Sequence, residues 1–402
     1  MYRHAFDADG RKPLNRRIRI LTIGHSYVVA ENRALVREVA RDAELDVTVA
    51  APAVFRSGLG PIELQPEPPA LKSNLKLKAL GARFTQWTQV FAYDRRGLAM
   101  LIEEGGFDVV HAWEEPYIYA GYQIARAMAN SDAALCFRTA QNIDKRYPFP
   151  FSHFERAVRE RAQGWIAGGN LVFESMIRRG YPKERGRMMT LAVDLDAFKP
   201  LAPERKQTVA RDIGLRPPIV AYVGRLTHAK GIDLMMRAMD AVGGSTPWSL
   251  LVMGAGPMEG NLRRWAAARG WSDRVQVRLA PHRDVPAYLG AADLMLAPSQ
   301  SGPRWREQFG RMVIEAFACG VPVLGSESGE IPYVIGEAGK VLPENDAGIW
   351  AKAIVEVIGS AELRVAMARR GFERVQAYSV AAVAQQYSAY YRELADRRRL
   401  AA

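Results

Sequence analysis

Short apolar runs recur along this chain. Each closes on a glycine, a proline or a small polar residue, and most are followed by a stretch with apolar residues at helical spacing. That alternation restricts the chain to a parallel α/β architecture. The first series opens with RIRILTIG (residues 17–24), passes through ENRALVREVAR (31–41), where Leu35, Val36 and Val39 share a helical face, and reaches LDVTVAAP (45–52). It continues through FDVVHAW (107–113), a helical stretch near 117–129, AALCFRTA (133–140), a helix at roughly 152–163, GWIAGG, and a helix near 171–179. The segment LAVDLDAFKPLAPER (191–205) breaks the rhythm with two prolines and reads as a linker. A second series follows: PIVAYVG (218–224), WSLLVMG (248–254), VQVRLA (275–280), ADLMLAPS (292–299), VPVLGS (321–326) and KVLP (340–343). A long amphipathic helix, roughly 378–399, closes the chain on Arg397, Arg398 and Arg399.

The expected organisation is therefore two Rossmann-like, doubly wound domains, which suits 402 residues. The first covers 1–196 and is completed by the last helix, about 380–402; the second covers 205–378. Such sheets bind ligands at the carboxyl ends of their strands, so the cleft between the domains is the expected site.

Composition excludes several classes. Hydrophobic residues are 49% and charged residues 24%, as in ordinary globular proteins. The net charge of +12 is shared between the halves, with 29 basic and 23 acidic residues in 1–200, and favours anionic partners. Cys136 and Cys319 stand far apart in apolar surroundings, which argues against a disulfide framework or zinc site and fits a reducing cytoplasm. The opening MYRHAFDADGRKPLNRR lacks the apolar stretch of a secretory signal, and no apolar run is long enough to suggest a membrane span.

Two clusters carry chemistry. In YVGRLTHAKGIDLMMRAM (222–239) a buried strand ends at Gly224, and Arg225 and Lys230 occupy the loop ahead of a helix. Two cations beside a helix N-terminus can hold a diphosphate, the arginine as a fork and the lysine as a point charge. In EQFGRMVIEAFACGVPVLGS (307–326) seven residues separate Glu307 from Glu315, with Gly310 just ahead of the helix. Glu307 falls in the loop and Glu315 on the helix, where a carboxylate among apolar neighbours needs partners such as a ribose diol or a hexose edge. The glutamates stand too far apart, about 12 Å if both lay on one helix, to form the close carboxyl pair of a retaining glycosidase.

Together with MGAGP (253–257), ADLMLAPS and SGEIPYVIGEAGKVLP (328–343), these clusters resemble the retaining glycosyltransferases of family 4, which have the GT-B fold. The match runs over roughly residues 190–390, and five ordered motifs are far more specific than any one. The resemblance implies a hexosyltransferase that uses a nucleotide-diphosphate sugar, UDP- or GDP-linked, with retention, by front-face attack and without a metal or other cofactor. It implies that Arg225 and Lys230 hold the diphosphate, Glu315 the ribose and Glu307 the transferred sugar. Gly224, Gly254, Gly256, Phe309 and Gly310 complete the implied donor site. His111 resembles a family histidine near the cleft and joins Glu307, Arg225 and Lys230 as a catalytic candidate. Where family members carry a further histidine this chain has FRTAQNI (137–143), which makes Gln141 and Asn142 acceptor-side candidates. The loop GHSYVVAENR (24–33) lacks the family's glycine pair and offers His25, Tyr27 and Arg33 for the acceptor.

Residues 72–96 interleave Lys72, Lys76, Lys78, Arg83, Arg95 and Arg96 with Leu75, Leu77, Leu80, Phe84, Trp87 and Phe91. A basic amphipathic stretch of this kind suits an anionic membrane surface, and equally a helix packed on its own domain. It points towards a lipid-linked or surface-glycan acceptor and a cytoplasmic enzyme peripheral on the inner face of the membrane, with no nucleic-acid partner. Two rivals differ in class. A nucleotide-sugar epimerase of the same fold would change its donor without acceptor. A non-catalytic basic binding protein would show salt-dependent attachment to nucleic acid or membrane.

Overall fold

A computed structural model describes residues 16–57, 60–68 and 75–401. Within these residues the chain builds two parallel sheets, of seven and six strands. The first runs, edge to edge, through Gly186–Met188, Gly164–Ala167, Ala134–Thr139, Val109–Ala112, Ile18–Ile23, Leu45–Pro52 and Lys76–Leu80. The second runs through Val275–Arg278, Ser249–Met253, Ile219–Val223, Leu294–Ala297, Val323–Ser326 and Lys340–Leu342. Central strands such as Ile18–Ile23 and Ser249–Met253 are buried along nearly their whole length, which is why they read as continuous apolar runs.

Each sheet starts in its interior. Ile18–Ile23 pairs with Leu45–Pro52 on one side and Val109–Ala112 on the other. Ile219–Val223 likewise lies between Ser249–Met253 and Leu294–Ala297. The strand order therefore reverses beside the first strand of each domain. At such a point neighbouring connections leave on opposite faces and a crevice opens at the carboxyl ends.

The helix Val380–Ala401 returns to the first domain, where Val383, Tyr387, Tyr390, Tyr391 and Leu394 join the core of its sheet. The crossover is pinned next to the linker: Val193 N–H donates to Tyr378 O (2.9 Å) and Val380 N–H to Val193 O (3.1 Å). Among the described residues no helix is long and apolar enough to cross a membrane.

The basic stretch 72–96 takes a different form from the amphipathic helix considered for it. Lys72 lies outside the described residues. Lys76–Leu80 is an edge strand, Ala82–Arg83 and Ala92–Tyr93 pair antiparallel, and the helix Arg95–Gly105 starts only where the stretch ends. Leu77 is half-buried while Lys76 and Lys78 are exposed, so the alternation that suggested amphipathicity has the period of a strand.

Candidate active site

The second domain's crevice lies between the connection after Ile219–Val223 and the one after Leu294–Ala297. These two loops carry Arg225 and Lys230, and Glu307. Arg225 is exposed, and its guanidinium has no partner among the described residues. The Lys230 ammonium donates to Glu307 Oε2 at 2.5 Å and lies 5.2 Å from the centre of the Trp305 ring. Ser299 Oγ donates to the same carboxylate oxygen at 2.7 Å. The sequence expectation kept the Lys230 and Glu307 roles separate, but in the structure the two side chains are partners. A buried carboxylate held by a lysine and a hydroxyl is neutralised, whereas one left alone would be costly.

Glycines let the loops close on one another. Gly254 (φ 155°) packs so tightly that a Cβ would lie 1.8 Å from Gly224 O, and a Cβ on Gly256 (φ 159°) would lie 2.5 Å from Leu226 O. Their first duty is thus to seat the loop 254–256 under the loop 224–226, through Leu226 N–H to Ala255 O (3.0 Å) and Met258 N–H to Leu226 O (3.0 Å). Gly310, at φ 85°, turns the chain into the helix Arg311–Ala318. Phe309, expected at the donor, instead has its side chain buried in the domain core, its ring centre 6.0 Å from that of Tyr378.

Glu315 lies one turn into that helix and lines an interdomain cleft of about 720 Å³, together with His282, Arg283 and Arg311 and with Ser26, Arg37 and Trp113 of the first domain. Its carboxylate has no hydrogen-bond partner among the described residues. Burial raises its pKa, and the charges of Arg311 and His282 offset part of that rise. An acceptor group open to a cleft and lacking protein partners is suited to hydroxyl donors from a ligand.

Two contacts tie the domains across the cleft. Asn142 Nδ2 donates to Glu307 O (2.8 Å). The carboxylate of Glu330, also buried, accepts from Asn170 N–H, from Asn170 Nδ2 (2.8 Å) and from Leu171 N–H (3.1 Å), capping the helix Asn170–Arg178 of the other domain. A Cβ on Gly169 would lie 2.5 Å from the Glu330 carboxyl carbon, so the clasp needs a glycine there. Nothing in the local sequence singled out Glu330, because its partners are 159 and 160 residues away.

On the first domain the candidates divide. Gln141 and Asn142 are both buried and engaged: Asn142 reaches across to Glu307, and Gln141 Oε1 accepts from Ile143 N–H (3.2 Å). His25 lies in a smaller recess beside the cleft. Three candidates turn inward and are corrected. Tyr27 is 1% exposed, its hydroxyl on Thr22 Oγ1 (3.0 Å). Arg33 is wholly enclosed, paired with Glu67 and bonded to the carbonyls of Tyr27 and Gln65. His111 is also wholly enclosed: Nδ1 meets Tyr391 OH at 2.8 Å, and burial with the nearby Arg138 charge lowers its pKa to about 3. It is a neutral residue of the seam between the sheet and the last helix, beyond the reach of a ligand.

Residues 204–374 match the model of the family described as glycosyl transferases group 1. The chain is 26% identical over 339 residues to the D-inositol 3-phosphate glycosyltransferase of Corynebacterium jeikeium, covering 76% of this chain and 77% of that protein. It is 32% identical over 191 residues to a GDP-mannose-dependent monoacylated α-(1-6)-phosphatidylinositol monomannoside mannosyltransferase of Corynebacterium glutamicum, covering 46% of this chain and only 50% of that protein. The fold superimposes on a glycosyltransferase from Rickettsia africae with a TM-score of 0.74 at 16% identity, over 94% of this chain and 98% of that one. It also superimposes on Anabaena HepE in complex with UDP and glucose, with a TM-score of 0.71 at 17% identity, over 94% and 100% of the two chains. The architecture is thus the GT-B arrangement of two facing parallel-sheet domains.

The interdomain clasp gives a first prediction. Glu330→Ala removes a charge-assisted cap whose bonds contribute about 1.5–3 kcal/mol. Hydrogen exchange at the amides of Asn170 and Leu171 should accelerate by roughly tenfold to 150-fold. Unchanged protection of these amides would show that the clasp contributes nothing in solution.

Proposed function

From the match of residues 204–374 to the glycosyl transferases group 1, we propose that the chain moves a hexose from a nucleotide-diphosphate sugar to a lipid-linked or surface-glycan acceptor, with retention and without a metal. The observation that carries the reading is the Glu315 carboxylate, buried yet without a hydrogen-bond partner among the described residues, opening onto the interdomain cleft. The ribose hydroxyls of a nucleotide supply the missing donors. Arg225 and Lys230, at the crevice of the same domain, bind the diphosphate and stabilise the negative charge that grows on the leaving oxygen, the task a metal performs elsewhere. Glu307 faces the transferred sugar. Because Lys230 already rests on Glu307, the diphosphate must share or take over that ammonium, which couples phosphate binding to the placement of the sugar.

The nucleoside diphosphate of the donor is UDP or GDP. HepE is described with UDP and glucose, and the C. glutamicum mannosyltransferase as GDP-mannose-dependent. Acceptors in the named relatives are an inositol phosphate and a lipid-borne mannoside, which supports a polyol or lipid-linked acceptor here.

A membrane-proximal location also forms part of this reading. Phe84 and Trp87, each 56% exposed, and Val90, 41% exposed, sit on consecutive turns: Trp87 N–H bonds to Phe84 O and Val90 N–H to Trp87 O, both at 3.0 Å. The three exposed apolar side chains therefore lie within one short run of turns. Lys78, Arg83, Arg95 and Arg96 are exposed near it in sequence. This combination suits the anionic cytoplasmic face of a bilayer.

Steady-state kinetics test the donor site. Glu315→Ala removes a contact to a part of the donor that does not react and should chiefly raise donor KM, whereas Glu307→Ala should chiefly lower kcat. Each effect should be roughly 10–150-fold, the worth of a charge-assisted hydrogen bond, and excess chelator should leave the wild-type rate unchanged. Folded variants with wild-type kcat and KM would put the donor elsewhere, and loss of activity on chelation, restored by magnesium or manganese, would refute the metal-free mechanism. For the membrane, the triple variant Lys78→Glu, Arg83→Glu, Arg95→Glu should bind phosphatidylserine-containing vesicles at least about a hundredfold more weakly, since each basic residue near such a surface contributes about 1 kcal/mol. Equal binding by wild type and variant would exclude this face.

A further inference from the structure

The strand Ala134–Thr139 is buried at every position except Arg138, which is half-buried. It lies inside the first sheet, between Val109–Ala112 and Gly164–Ala167. There a guanidinium is costly unless it is paired. Yet Arg138 Nε is buried without a hydrogen-bond partner, and the guanidinium forms no ion pair among the described residues. Tyr387 OH, near enough to feel the Arg138 charge, is unpartnered too. The guanidinium instead lies over the Trp113 ring, 4.9 Å from its centre. Gly168 leaves it room, since a Cβ there would lie 2.9 Å from Arg138 Nη2.

Arg138 lines a recess of about 260 Å³ at the crevice of the first domain, between the connection after Ile18–Ile23 and the one after Val109–Ala112. Two carboxylates share this recess, and both are already held by the chain. Glu114 Oε1 accepts from His25 N–H (2.6 Å) and Tyr93 OH (2.8 Å), and His25 Nδ1 lies 2.7 Å from Glu114 Oε2. Glu115 accepts from Thr139 Oγ1 (2.5 Å) and Ala140 N–H (2.8 Å). Arg138 is thus the charged group of the recess left without a bonding partner. It offers a planar fork of N–H donors and a permanent positive charge, which match two oxygens of one anionic group. Ser26 and Trp113 line both this recess and the 720 Å³ cleft, so a ligand seated here adjoins the space assigned above to the donor.

We propose that the acceptor carries an oxyanion, a phosphate or a carboxylate, and that Arg138 holds it beside the donor. This rests on the transferase reading above and narrows its acceptor. The oxyanion supplies the partner that the guanidinium lacks. Fixing that end of the acceptor beside Trp113 sets which of its hydroxyls faces the anomeric carbon. Arg138 is a specificity-determining residue in this scheme. It takes no part in making or breaking bonds, and no group of the recess removes the hydroxyl proton.

The test uses three probes that share a ring: glucose 6-phosphate, glucuronate and glucose. Binding is measured by titration calorimetry on wild type and Arg138→Gln, with UDP or GDP at saturation so that Arg225 and Lys230 are occupied. Wild type should bind at least one charged probe roughly tenfold to 150-fold more tightly than glucose, the effect of a charge-assisted hydrogen bond. Arg138→Gln should abolish that preference and leave nucleotide affinity unchanged. Tighter binding of glucose 6-phosphate assigns a phosphate, and tighter binding of glucuronate a carboxylate. Three results would each overturn the proposal while leaving the transferase reading intact: glucose bound as tightly as both charged probes, no probe bound by wild type, or a preference that survives Arg138→Gln. If Arg138→Gln fails to fold, Arg138→Lys decides. It keeps the charge and loses the fork, so the preference should shrink, and an undiminished preference would overturn the proposal. Failure of wild type to bind either nucleotide would refute the transferase reading, and this proposal with it.

Discussion

Adjacent parallel strands whose connections leave on opposite faces cannot fill the gap at their carboxyl ends. Both sheets of this chain begin in the interior, so each carries one such gap, beside Ile18–Ile23 in the first and Ile219–Val223 in the second. Most of the chemistry described above depends on this constraint. The second gap gathers Arg225, Lys230 and Glu307, and the first gathers His25, Glu114 and Glu115. Each pair of loops brings into reach side chains tens of residues apart in sequence. The activity follows from which side chains stand at the two gaps rather than from the fold itself, which serves many chemistries.

Glu307 is the joint between them. Its carboxylate is held by Lys230 and Ser299, its carbonyl accepts from Asn142 of the other domain, and the same carbonyl accepts from Glu330 N–H (3.0 Å). Gly329 makes room for this, since a Cβ there would lie 2.0 Å from Glu307 O. The carboxylate of the same Glu330 caps a helix of the first domain. Hence a shift of Glu307 is passed directly to the contacts that set the domains against each other, through a hydrogen-bond network in which each bond to a charged group contributes about 1.5–3 kcal/mol.

The strands were readable because central parallel strands are buried on both faces and show as unbroken apolar runs. Glu315 stood out as a carboxylate among apolar neighbours, and it is buried on its helix. Tyr27 and Arg33 were over-read: they lie in a strand–helix connection, but its 3-10 turns direct them inward, and the partner that neutralises Arg33, Glu67, comes 34 residues later. His111 ends a strand, yet the returning helix Val380–Ala401 covers it, a contact 280 residues away that no local pattern announces. Glu114 could have been found, since two acids directly after a buried strand are unusual, but its pairing with His25 exists only once two strands lie side by side. Glu330 gave no local signal at all.

The central claim is that a nucleoside diphosphate spans from Glu315 to the cations at the second domain's crevice. The structure of the protein bound to UDP or GDP tests it most directly. The ribose hydroxyls should lie within hydrogen-bond reach of Glu315, and the terminal phosphate should contact Arg225 and Lys230, with the Lys230–Glu307 pair shared or opened. A nucleotide seated in the first domain's crevice, or bound with Glu315 still unpartnered, would contradict this account.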